Sequence, residues 1–128
     1  MSQTPRTRVL VVDDEPSVLL EIAGALKRHY DVLTAQSAEE AEGLLAKERI
    51  DLLLTDLRLP GKDGLHLLEA AKAQSPDLPV VIMSGYFSKI SPQALDELGQ
   101  IELLAKPFTT DELAHAVHRA LHPAEKVG

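Results

Sequence analysis

A chain of 128 residues with 45% hydrophobic and 26% charged residues has the size and balance of one globular domain, which excludes a disordered or fibrous protein. Aromatics make up only 3% and there is no cysteine, so the core is aliphatic, and disulfide frameworks, thiolate metal sites and cysteine nucleophiles are excluded. The net charge of −7 disfavours direct binding to nucleic acid or to an anionic membrane, both of which would repel it.

The opening MSQTPRT (1–7) reads as a frayed or disordered end and lacks the apolar stretch of a signal peptide. RVLVV (8–12) is a continuous apolar strand, the pattern of a strand covered on both faces. It runs straight into Asp13, Asp14 and Glu15. PSVLLEIAGALKRH (16–29) predicts a helix with Pro16 in its first turn and Val18, Ile22, Ala25 and Leu26 on one stripe. DVLTA (31–35) is a shorter strand. Ser37 with Glu40 three residues on makes a capping-box pattern, opening a helix through about Lys47 with Ala38, Ala41, Leu44 and Leu45 inward. DLLLT (51–55) reads as a central strand, and LPGKDG (59–64) as a turn. LHLLEAAKAQ (65–74) is helical, and VVIM (80–83) is a fourth buried strand. SPQALDELG (91–99) predicts a helix begun near Pro92 and stopped at Gly99. ELLA (102–105) is the fifth strand. TTDELAHAVHRAL (109–121) is a last helix, capped by Thr109 or Thr110 and stopped before Pro123, with residues 122–128 left as a tail. No apolar run approaches the roughly 18 residues that span a bilayer, so a cytoplasmic protein without membrane contact is expected.

Five strands alternating with five helices on short connections predict an α/β fold, a doubly wound five-stranded parallel sheet with helices on both faces. Right-handed crossovers leave few arrangements, and strand order 2-1-3-4-5, the flavodoxin-like (βα)5 solution, is expected. In such sheets the ligand site lies beyond the carboxyl ends of the strands.

At those ends stand the residues that carry chemistry. Asp13, Asp14 and Glu15 follow the first strand, Asp56 the third, Ser84 the fourth and Lys106, then Pro107, the fifth. The first and third strands are neighbours in this order, so Asp13, Asp14 and Asp56 should converge. Carboxylates held together need a counter-charge, and Mg²⁺, a hard cation that accepts one or two carboxylates and completes its shell with waters and phosphate oxygens, is the natural one. Asp56 at the end of a buried strand is a candidate nucleophile for phosphoryl transfer. Lys106 can neutralise a transferring phosphoryl as a point charge, and the Ser84 hydroxyl can donate to one of its oxygens.

The stretches VLVVDDEP, DLLLTDLRLPGKDG, VVIMSG and LLAKPF, in that order and spacing, resemble the response-regulator receiver domain of two-component signalling over about residues 8–121. The resemblance implies that Asp56 is the phosphoacceptor, supplied by a sensor histidine kinase or a histidine phosphotransfer protein. It also implies that phosphorylation alters affinity for a downstream protein or output domain. By the same resemblance Asp14 would ligate Mg²⁺ directly, Asp13 through water, and the backbone carbonyl of Arg58 would complete the protein ligands. Ser84 would be the switch hydroxyl, Lys106 the phosphoryl-neutralising lysine, and Lys106–Pro107 a cis bond. Arg58 and Tyr86 would flank the phosphoryl and tune hydrolysis, and their bulk implies slow self-dephosphorylation. Two positions depart from the family pattern: Leu103 stands where the family usually has Tyr or Phe, and Gln100 where alanine is common. Leucine cannot make the aromatic's hydrogen bond, so signalling is expected to run mainly through the loop SGYFSKISP (84–92).

Other readings compete. Asp14 alone would serve as a helix cap. A phosphohydrolase with an aspartyl-phosphate intermediate would want an acid two residues after its nucleophile, where Arg58 stands. A flavin carrier would want a phosphate-cradling loop after the first strand, where three acids stand instead. An interaction module of receiver shape that takes no phosphate is the remaining alternative; Asp13, Asp14, Asp56, Ser84 and Lys106 speak against it, and Leu103 keeps it open. The balance of residues favours a regulatory domain whose only catalysis is its own phosphotransfer and dephosphorylation. His115, His118 and His122 share one face of the last helix, opposite Leu113, Val117 and Leu121, and read as a solvated face.

Overall fold

The computed structural model describes residues 6–59, 64–85 and 101–122. Five parallel strands, β1 (Arg8–Val12), β2 (Asp31–Ala35), β3 (Leu52–Asp56), β4 (Val80–Ser84) and β5 (Ile101–Ala105), form one sheet in the order β2-β1-β3-β4-β5. The described helices are α1 (Pro16–Leu26), α2 (Ala38–Lys47), α3 (Gly64–Gln74) and α4 (Thr110–Leu121). The helix expected over 91–99, and with it Gln100, Tyr86 and most of the 84–92 loop, lies outside the described residues.

Side chains alternate between the two faces of a strand, and the central strands are apolar at both parities, so the sheet must be covered on both sides. Val9, Val11, Leu52, Leu54, Val81, Met83 and Leu104 pack against Leu19, Ile22 and Leu26 of α1 and Leu113, Ala116 and Val117 of α4. The alternate row, Leu10, Val12, Leu53, Val80 and Ile82, packs against Ala38 and Ala41 of α2 and Leu67, Leu68 and Ala71 of α3. With almost no aromatics, the volume is filled by leucine, valine and isoleucine at near-zero exposure.

Helix boundaries follow local chemistry modified by the sheet. α1 stops at Leu26 rather than at residue 29. No breaker interrupts the helical pattern there, but the amides of His29 and Tyr30 both turn back to the Leu26 carbonyl, and Asp31 N–H donates to the Thr7 carbonyl as β2 joins β1. Sheet pairing overrides helix continuation. At α2, Ser37 Oγ accepts from Glu40 N–H at 3.1 Å as expected, while Glu40 reaches back one residue further than a capping box requires, accepting from Gln36 N–H at 3.1 Å. The box is complete at α4, where Thr109 Oγ1 accepts from Glu112 N–H at 3.1 Å and Glu112 Oε1 accepts from Thr109 N–H at 2.9 Å. Thr109→Ala should therefore cost about 1 kcal/mol of stability, seen as a lower urea midpoint at unchanged slope. An unchanged midpoint would mean that the box contributes nothing net.

Candidate functional site

Strand parity builds the site. Val9 and Val11 are followed on their face by Asp13; Leu52 and Leu54 by Asp56; Leu104 by Lys106. Each row begins in the core beneath α1 and α4 and ends on a charged residue at the carboxyl edge of the sheet. Between the β3 and β5 rows, the β4 row Val81–Met83 ends on Gly85, where an added Cβ would come no nearer than 4.0 Å to the Lys106 carbonyl. The strand ends are pinned: Asp13 N–H donates to the Ala35 carbonyl (3.1 Å), Leu57 N–H to Met83 (3.1 Å) and Lys106 N–H to Ser84 (2.9 Å).

Lys106 Nζ then bridges two carboxylates, donating to Asp13 Oδ2 at 2.8 Å and to Asp56 Oδ2 at 2.6 Å. Asp13 is fully buried and Asp56 is 8% exposed. Each carboxylate has a second donor. Asp13 Oδ1 accepts from Glu15 N–H at 2.9 Å and Asp56 Oδ1 from Arg58 N–H at 2.9 Å. Burial pulls the Lys106 ammonium toward its neutral form, but the hydrogen bonds to Asp13 and Asp56 and their charges together outweigh that, leaving its pKa raised above the ordinary lysine value.

The expected convergence is thus met in a modified form. Asp13 and Asp56 are joined through Lys106, and that ammonium is the counter-charge on both. The acids whose oxygens lie close together, all within 4.8 Å, are Asp13, Asp14 and Glu15, and Asp56 is not in that group. A buried oxygen donor beside two exposed ones suits a hard divalent cation that keeps several waters, so the residues present fit Mg²⁺. Asp14 is exposed, and the cap position of α1 belongs to Glu15, which makes no side-chain capping bond. The helix-cap reading of Asp14 is thereby removed.

Ser84 is buried at the end of β4, paired with Ala105 next to Lys106. Arg58 is exposed beside Asp56. Leu103, paired with Ile82, is 41% exposed on the edge strand, large and apolar where the family pattern has a ring. The Lys106–Pro107 bond is cis, as the resemblance implied. Sequence reasoning missed Leu19, a core residue of α1 just off the stripe assigned to it. No described helix is long and apolar enough to cross a membrane.

The response regulator receiver domain family model matches residues 9–118. Sporulation initiation phosphotransferase F of Bacillus subtilis is 33% identical over 115 residues, covering 89% of this chain and 93% of that protein. The nitrogen assimilation regulatory protein NtrX of Azorhizobium caulinodans is 36% identical over 116 residues, 88% of this chain but 26% of that protein. The chain therefore spans about a quarter of some curated relatives and nearly all of another. Among solved structures, the chemotaxis response regulator CheY4 of Vibrio cholerae superposes with a TM-score of 0.83 at 27% identity, covering 91% of this chain and 99% of that one. Built on the 2-1-3-4-5 sheet with acids and a lysine at its carboxyl edge, this chain belongs to the response regulator receiver domain family of two-component signalling.

Proposed function

We propose that Asp56 accepts a phosphoryl group from a sensor histidine kinase or a histidine phosphotransfer protein, and that the phosphorylated domain, taken as residues 8–121, changes its affinity for a downstream protein or output domain. The observation that carries this reading is the Lys106 ammonium held 2.6 Å from the Asp56 carboxylate on a rigid, nearly buried strand end. In the transfer, the P–N bond to the donor imidazole breaks as a P–O bond to an Asp56 carboxylate oxygen forms, and the imidazole leaves. Lys106 neutralises charge on the phosphoryl oxygens, the Arg58 N–H holds the carboxylate in orientation, and the Ser84 hydroxyl donates to a phosphoryl oxygen. Asp13, Asp14, Asp56 and the Arg58 carbonyl would hold Mg²⁺, which when bound supplies charge neutralisation between the incoming phosphoryl and the carboxylates. No other catalysis is assigned to the chain, and its place of action is the cytoplasm.

Phosphotransfer profiling against a panel of phosphorylated histidine kinases and phosphotransfer proteins tests this. At least one donor should pass its label to the wild type and none to Asp56→Asn; equal labelling of that variant would refute the assignment. Arg58 and Tyr86 are proposed to slow loss of the phosphoryl by obstructing water. Arg58→Ala should then shorten the lifetime of the phosphorylated form, and an unchanged lifetime would remove Arg58 from that role.

A further inference from the structure

α4 starts at the carboxyl edge of the sheet and runs back across it, so its last turn lies roughly 16 Å along the helix from the turn nearest Lys106. Its inner face is occupied by Leu113, Ala116 and Val117. His115, His118 and His122 lie on the outer face and are exposed. A four-residue spacing puts His118 and His122 one above the other. Their rings are packed with centroids 4.4 Å apart and planes inclined by 34°. His122 has left helical dihedrals (φ −129°, ψ 65°), yet its N–H still donates to the His118 carbonyl at 2.9 Å, so the backbone ties the two residues together.

We propose that His118 and His122 form a second cation site, distinct from the acidic pocket and taking a borderline transition-metal ion of the Zn²⁺, Ni²⁺ or Cu²⁺ class. Neutral imidazole nitrogens prefer such ions and Mg²⁺ does not compete for them. Two side-by-side rings can direct one nitrogen each to a single ion at the usual 2.0–2.1 Å or so of a zinc–imidazole bond, with waters completing the shell. The setting favours a cation in two further ways. The site sits on the last turn of α4, at the negative end of the helix dipole. The nearest basic side chain on the helix, Arg119, is engaged with Glu102 at 3.3 Å. His115 lies one turn earlier, and the three rings are not among the described groups whose ligand atoms are already close together, so the site is a two-imidazole chelate. An ion bound there clamps the final turn of α4.

The test is a Zn²⁺ titration of the full chain in excess Mg²⁺, which keeps the acidic pocket occupied, read by calorimetry and by the histidine ring resonances. One ion should bind with shifts at His118 and His122. His118→Gln and His122→Gln should each weaken binding by at least the roughly tenfold that loss of even an outer-sphere partner causes, while His115→Gln leaves it unchanged. Both residues are exposed, so the variants should fold, and phosphoryl uptake at Asp56 should persist in them, which separates this site from the proposed function. Binding that ignores both substitutions, follows His115 equally, or perturbs only the Asp13–Glu15 pocket would overturn the proposal.

Discussion

Replacing Lys106 by methionine should destabilise the protein without added divalent cation by about 2–3 kcal/mol, measured by urea unfolding. The substitution leaves two carboxylates facing each other without their shared ammonium, one of them on the fully buried Asp13. Breaking a fully buried pair costs about 3–5 kcal/mol; the smaller figure reflects the quarter of the Lys106 side chain that reaches solvent, 25%. Adding Asp13→Asn to the variant should recover part of the loss by removing one of the opposed charges, and Mg²⁺ should recover part of it by supplying another cation. The pH dependence has a definite sign. Because the folded-state pKa of Lys106 is raised, its contribution is complete below the unfolded lysine value of about 10.5 and is lost as pH rises through the higher folded value. The wild type should therefore lose stability more steeply than Lys106→Met above about pH 10.5, and run parallel to it near neutrality. Equal stability of the two proteins at neutral pH would show that the bridge is not holding the acids together.

Leu54→Ala should cost about 3 kcal/mol, within the 2–5 range for a buried leucine truncated to alanine. Leu54 is fully buried on β3, with strands on both sides and α1 and α4 above, so the cavity has little freedom to collapse. It also precedes Asp56 by two residues on the same face, so the truncation loosens the seat of the proposed phosphoacceptor as well as the core. Thermal unfolding and phosphoryl uptake should both suffer. A loss below 1 kcal/mol or so would mean that this row packs more loosely than its burial indicates.

Much of this architecture was legible because each strand is a short apolar run ending in a polar residue, and parity with right-handed crossovers does the rest. The strands come out within one residue of expectation: Asp56 and Ser84 are the last strand residues rather than the first beyond them, and Ile101 rather than Glu102 begins β5. The α1 terminus was not legible, since Lys27–His29 continue a helical pattern and are turned aside only by pairing of β2 with β1. At the site, the sequence supplies the residue types but not their pairings. Three adjacent acids announce the need for a positive charge, yet nothing local says that Lys106, 93 residues from Asp13, already meets part of it. That contact is decided by which rows end on the same face. Likewise, the histidine spacing on α4 is visible in sequence, whereas the 4.4 Å approach of two of the rings is a matter of rotamer and of how the helix ends.

The central claim is that the cradle around Asp56 is built to carry a phosphoryl group there. Intact-mass measurement after incubation with acetyl phosphate and Mg²⁺ tests it most directly. The wild type should gain the mass of one phosphoryl, and neither chelation of the metal nor Asp56→Asn should permit that gain. A wild type that stays at its original mass, or an Asp56→Asn variant that gains as much, would contradict the account.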